Sequence, residues 1–70
     1  MRRKTVEFVQ AGKYAAEVPV ELIEDEDSWS PRLTLDDARK LERVRLALQN
    51  GDVDSAARHG RVFELLPISA

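Results

Sequence analysis

The chain contains no cysteine, and its 70 residues include one histidine, one tryptophan and one tyrosine. Without cysteine there are no disulfides and no thiolate zinc sites, the usual staples of small secreted domains, and a reducing cytoplasm is the compartment expected. A lone His59 excludes an intrachain catalytic triad and a histidine-rich metal centre. Its place between Arg58 and Gly60 suits a helix-end cation instead. The three glycines, Gly12, Gly51 and Gly60, are isolated from one another, which leaves no phosphate-cradling loop. No apolar run approaches the roughly 18 residues of a membrane span. Arg2, Arg3 and Lys4 give a basic start, but Glu7 and Gln10 break the apolar stretch that a signal peptide needs next, so no export signal is expected. Charge of one sign is also lacking: the net charge is −2, too small a field to advertise a nucleic acid or an anionic membrane as partner.

What is present is a folding composition. Hydrophobic residues make up 43% and charged residues 34%, outside the range of disordered chains. Residues 1–70 are expected to form one small α+β domain. A domain of this size buries only about 60% of the surface its unfolded chain exposes, so association that covers a further face, a homodimer above all, is anticipated.

Thr5 to Val9 is rich in β-favouring residues and reads as a first strand. Gln10 to Lys13, with Gly12, supplies a hairpin turn. From Tyr14, a period of two places Tyr14, Ala16, Val18, Val20 and Leu22 on one face, against Ala15, Glu17, Pro19, Glu21 and Ile23. Pro19 has no N–H to donate, so one side of this second strand should lack a full partner there. Glu24, Asp25, Glu26 and Asp27 repel one another and form a solvated turn. Ser28 to Leu33 returns as a short edge strand carrying Trp29 and Pro31.

Thr34 as N-cap, Asp36 and Asp37 in the first turn, and Gly51 as C-cap predict a helix from about Leu35 to Asn50. Its stripe Ala38, Leu41, Val44 and Leu48 is assigned to the sheet, with Leu35 near it and Leu46 well away from it. Asp52 caps a shorter helix through Val53, Ala56 and Ala57, ended by Gly60. Arg61 to Ile68 reads as a fourth strand, limited by Pro67. The order is β-β-β-α-α-β. A right-handed crossover would set the last strand parallel to the first, giving a four-stranded mixed sheet of order 3-2-1-4 with both helices on one face.

No residue set carries catalytic chemistry, and no metal site or cofactor is expected. The acidic run lacks the alternating ligands, sixth-place glycine and twelfth-place glutamate of a calcium loop. Arg39, Lys40 and Arg43 form a basic helix stripe that could meet nucleic acid, but Asp36, Asp37 and Glu42 dilute it and no aromatic platform accompanies it. Trp29 is either a core anchor or a binding hot spot. Glu24, Asp25, Glu26, Asp27, Trp29, Pro31 and Leu46 fall outside the packing logic and are the candidate partner-binding residues.

The segment Gly12-Lys13-Tyr14-Ala15-Ala16-Glu17-Val18-Pro19, together with Leu33-Thr34-Leu35-Asp36-Asp37-Ala38 further along, resembles the HicB-like antitoxin domain over about half the chain. In that family a glycine-aromatic strand, a return strand and a Thr-Leu-acidic-acidic-Ala helix start recur on a partial RNase H-like β-β-β-α-β fold. This sequence departs from the family in the acidic run Glu24 to Asp27, which replaces a Pro-Gly-Cys type turn, and in the extra helix near Val53. The C-terminal DNA-binding segment common in the family is not expected here. The chain also looks like short bacterial proteins of unassigned role, some at toxin–antitoxin loci. The resemblance implies a non-catalytic protein that covers a toxin-like partner, and the acidic turn Glu24 to Asp27 with an exposed sheet edge predicts that this partner is basic.

Overall fold

The structure is a computed structural model that describes residues 2–24 and 32–68. Its elements are β1 (Arg2–Ala11), β2 (Tyr14–Ile23), β3 (Arg32–Leu33), α1 (Leu35–Gln49), α2 (Val53–Ala57) and β4 (Arg61–Glu64). The α+β class and the element order agree with the sequence reading. Of the expected third strand, Arg32 and Leu33 are strand, and Ser28 to Pro31 lie outside the described residues. β1 starts earlier and ends later than its β-favouring centre, because it pairs with β2 from Arg2↔Ile23 to Ala11↔Tyr14. The turn between them is Gly12 and Lys13. Gly12 has φ +59°, and among the described residues only glycines have a positive φ, which fits the type II′ turn whose first central position favours glycine.

The sheet corrects the expected topology. It is antiparallel throughout and not mixed, and its order is not 3-2-1-4. β2 is the central strand. β1 takes one of its edges; β4 and β3 share the other, β4 opposite Tyr14–Glu17 and β3 opposite Leu22–Ile23. Both run antiparallel to β2, so they point the same way and form one interrupted lane, with α1 and α2 as the excursion between its halves. β3 leaves the edge of β2 after Leu33, where Thr34 starts α1, and the stretch beside Tyr14 is where the returning chain pairs.

The interruption falls at Pro19 to Glu21. In an antiparallel strand the N–H and C=O of one residue face the same edge, and alternate residues face opposite edges. The Lys13 carbonyl accepts from Leu65 N–H at 2.7 Å, which assigns odd-numbered residues of β2 to the β4/β3 side. Pro19 therefore directs its missing N–H into a stretch where, among the described residues, no strand pairs with β2. α1 closes that stretch with side chains. The Asp37 carboxylate accepts the Glu21 N–H at 2.7 Å, and the Lys40 ammonium donates to the Pro19 carbonyl at 2.7 Å.

Both ends of α1 obey local chemistry. Asp37 N–H donates to Thr34 Oγ1 at 3.1 Å, closing the N-cap. At the other end Gly51 adopts φ +75°, its N–H bonds Leu48 O at 3.1 Å, and Asp52 N–H bonds Ala47 O at 2.8 Å, a Schellman arrangement. Asp52 then caps α2, accepting the Ser55 N–H at 3.3 Å and the Ser55 hydroxyl at 2.7 Å.

The core lies between α1, α2 and one sheet face. Ala16, Val18, Val20, Val44, Leu48 and Ala56 are buried, with Val9, Ala11, Tyr14, Leu33, Leu41, Ala47 and Val62 packed around them. The helix stripe is rotated from its expected position. Ala38 and Leu35 are exposed, and Asp37, Lys40 and Ala47 lie on the sheet side with Leu41, Val44 and Leu48. Docking Asp37 and Lys40 onto the open edge of β2 turns the helix that way, and Ala38 loses little apolar burial by it. Gly60 permits the return to β4: a Cβ there would overlap the Glu17 carbonyl and stand 3.1 Å from Val18 Cα. Among the described residues, no helix is long and apolar enough to cross a membrane.

Candidate interaction surface

The hydrogen-bond alternation that orients β2 also orients β1. Arg3, Thr5, Glu7, Val9 and Ala11 face their β2 partners, so the backbone groups of Arg2, Lys4, Val6, Phe8 and Gln10 point away from the sheet. Among the described residues no strand pairs with that edge. An open edge ten residues long is unusual, since natural sheets keep such edges short, charged or covered. Here the basic residues Arg2, Arg3 and Lys4 guard one half. Val6 and Phe8 occupy the other, 56% and 59% exposed.

Val6 and Phe8 stand on the sheet face opposite the helices. In register with them lie Pro19 and Glu17, and beyond Gln10 come Ala15 and Phe63. The Arg61 guanidinium lies over the Phe63 ring at 5.4 Å. Ala15, between its register partners Gln10 and Phe63, is fully buried although it is outside the core cluster. No helix covers this face among the described residues, and Leu66 and Ile68, beyond β4, are exposed as well. Sequence reasoning does not find this surface, because it gives the first strand a neighbour on both sides. The signal that could have found it is the pairing of Val6 and Phe8 on one face of a strand whose N-terminal half is basic.

Of the residues singled out from sequence, those that are described do not come together. Glu24 lies just past β2 and pairs with the Arg3 guanidinium at 3.0 Å. Asp25, Glu26, Asp27, Trp29 and Pro31 lie outside the described residues. Leu46 is on the solvent side of α1, 45% exposed, on the opposite side of the helix from Val44 and Leu48. The basic stripe is divided: Arg39 and Arg43 are exposed, whereas Lys40 is turned to the sheet, bonded to Pro19 O and 3.4 Å from Asp37. Lys40 thereby leaves the stripe. Arg45 on the same helix pairs with Glu42, Nε to Oε2 at 3.1 Å.

An open groove of about 560 Å³ lies at the interrupted lane, lined by Arg2, Lys4, Pro19, Glu21, Asp36, Asp37 and Lys40 among others. Its charges largely answer one another: Arg2 pairs with Glu21 at 3.6 Å and Lys40 with Asp37. The Glu21 N–H, with Lys40 and Thr34 adding to it, holds the Asp37 carboxyl below the usual carboxylate range. The Ser55 hydroxyl and N–H lower Asp52 in the same way. These carboxylates serve helix ends and sheet edge. Among the described residues no three His, Cys, Asp or Glu side chains are grouped to hold a metal ion. No protein-family profile, curated protein or solved structure matches the chain.

Proposed function

We propose that this chain is a small non-catalytic binding protein, antitoxin-like in mode, that sequesters a basic partner protein in the cytoplasm. The observation that carries the reading is the edge of β1, unpaired among the described residues, with Val6 and Phe8 exposed beside it. An extended segment of a partner adds to such an edge through main-chain hydrogen bonds, and the side chains alongside select it. The acidic residues Asp25, Glu26 and Asp27 that follow Glu24, itself paired with Arg3, supply the charge complementary to a basic partner. The likeness of Gly12–Pro19 and Leu33–Ala38 to antitoxin sequences supports the same mode.

The test is co-purification of the tagged chain with the product of the adjacent open reading frame, with relief of that product's toxicity on co-expression. Capture and relief are expected, both reduced by Val6→Lys. Failure of both capture and relief would contradict the reading. The alternative, nucleic-acid binding through Arg39, Lys40 and Arg43, requires salt-sensitive affinity that Arg39→Ala with Arg43→Ala removes.

A further inference from the structure

We infer that the open edge of β1 pairs with the same edge of a second copy of this chain, antiparallel about a two-fold axis at Val6. The inference rests on the binding role proposed for this edge and names its occupant when no partner is present. The outward-facing residues Arg2, Lys4, Val6, Phe8 and Gln10 are symmetric about Val6. A two-fold there sets Val6 opposite Val6 of the second copy, Lys4 opposite Phe8, and Arg2 opposite Gln10. Every outward N–H and C=O from Arg2 to Gln10 then finds an antiparallel partner.

The side chains favour this register over its neighbours. Shifting the axis to Glu7 would oppose two carboxylates, and like charges directly opposite destabilise a strand pair. Shifting it to Thr5 leaves Gln10 beyond the end of the partner strand, its outward groups unpaired. With the axis at Val6, Thr5 stands opposite Glu7 and Arg3 lies diagonally across from Glu7, so the basic half of each strand meets the apolar and acidic half of the other. On the uncovered face Val6 and Phe8 of the two copies form one row, and Lys4 sits against the partner's Phe8, a cation beside an aromatic ring. The two sheets become continuous, with all helices on one side. This supplies the added burial that a core this small calls for.

Sedimentation analysis of the full chain between about 1 μM and 1 mM spans the affinities of a weak edge pairing. Reversible dimerisation from the 7.9 kDa monomer is expected. Val6→Lys puts two ammonium groups face to face on the axis and should weaken the dimer roughly tenfold or more. Phe8→Pro removes only an outward N–H, which an edge strand tolerates, and should also abolish dimerisation while circular dichroism remains that of the folded chain. A wild-type chain monomeric throughout the range, or a dimer unaffected by Val6→Lys, would overturn the pairing. If Phe8→Pro unfolds, Val6→Lys decides alone. A monomer that still captures its neighbour's product through Val6 and Phe8 would sink the self-pairing and leave the binding role standing.

Discussion

Asp37, in the first turn of α1, accepts the backbone N–H of Glu21 at 2.7 Å and so takes the place of a missing neighbour strand. The same carboxylate is 3.4 Å from Lys40, whose ammonium bonds the Pro19 carbonyl. Two side chains from one helix turn thus satisfy the stretch of β2's far edge that neither β3 nor β4 reaches.

This arrangement makes stability depend on acid. The Asp37 carboxyl is held below its ordinary value in the folded chain, so its contribution is fully present above the unfolded value and is lost as pH falls through the folded one. Chemical denaturation of wild type and Asp37→Asn should show a wild-type advantage at neutral pH that shrinks below the usual carboxylate range. An advantage independent of pH would mean that the charge is not what matters.

Gly60 should tolerate no side chain. The Cβ of Gly60→Ala meets the β2 backbone at Glu17 and Val18, and overpacking of this kind costs about 1–3 kcal/mol. Gly51→Ala meets no atom and bears only the strain of its positive φ, about 1 kcal/mol. Thermal melts should rank Gly60→Ala below Gly51→Ala, and the reverse order would place the β4 return elsewhere.

On α1 the rotated stripe separates two residues that the apolar pattern puts on one face. Leu48→Ala empties a fully packed site and should cost about 2–5 kcal/mol, a large part of the stability of so small a domain. Ala38→Lys, on the exposed side, should change stability by about 0.5 kcal/mol at most. A large loss at Ala38 would restore the stripe expected from the sequence.

What is legible in the sequence is local. Gly12 declares the hairpin, Thr34 and Gly51 the limits of α1, Asp52 the start of α2, and the period of two from Tyr14 to Leu22 the buried face of β2. Pro19 marks a place without a full strand partner, as expected. Strand order is not legible, because it depends on which edge of β2 is left open, and that comes from the chain leaving β2 after Leu33 to begin α1. Of the helix stripe, Leu41, Val44 and Leu48 face the sheet as expected and Ala38 does not, because a pattern of apolar residues alone ignores what Asp37 and Lys40 gain at a sheet edge. Of the candidate site, Glu24 and Leu46 have places in the structure, and the apolar half of the β1 edge is absent from the sequence-based set. Val6 and Phe8 alternate with Glu7 as the residues of an inner strand do, and only the register shows that nothing lies beyond them among the described residues.

Residue-resolved amide hydrogen exchange tests the open edge most directly. The amides of Thr5, Glu7 and Val9 face β2 and should be protected at every concentration. Those of Lys4, Val6 and Phe8 should exchange freely in dilute solution and gain protection, in the same alternating pattern, when the chain is concentrated or a captured partner is added. Uniform protection along β1 in the dilute monomer, or no gain at Lys4, Val6 and Phe8 under either condition, would contradict the assignment of this edge as the binding surface.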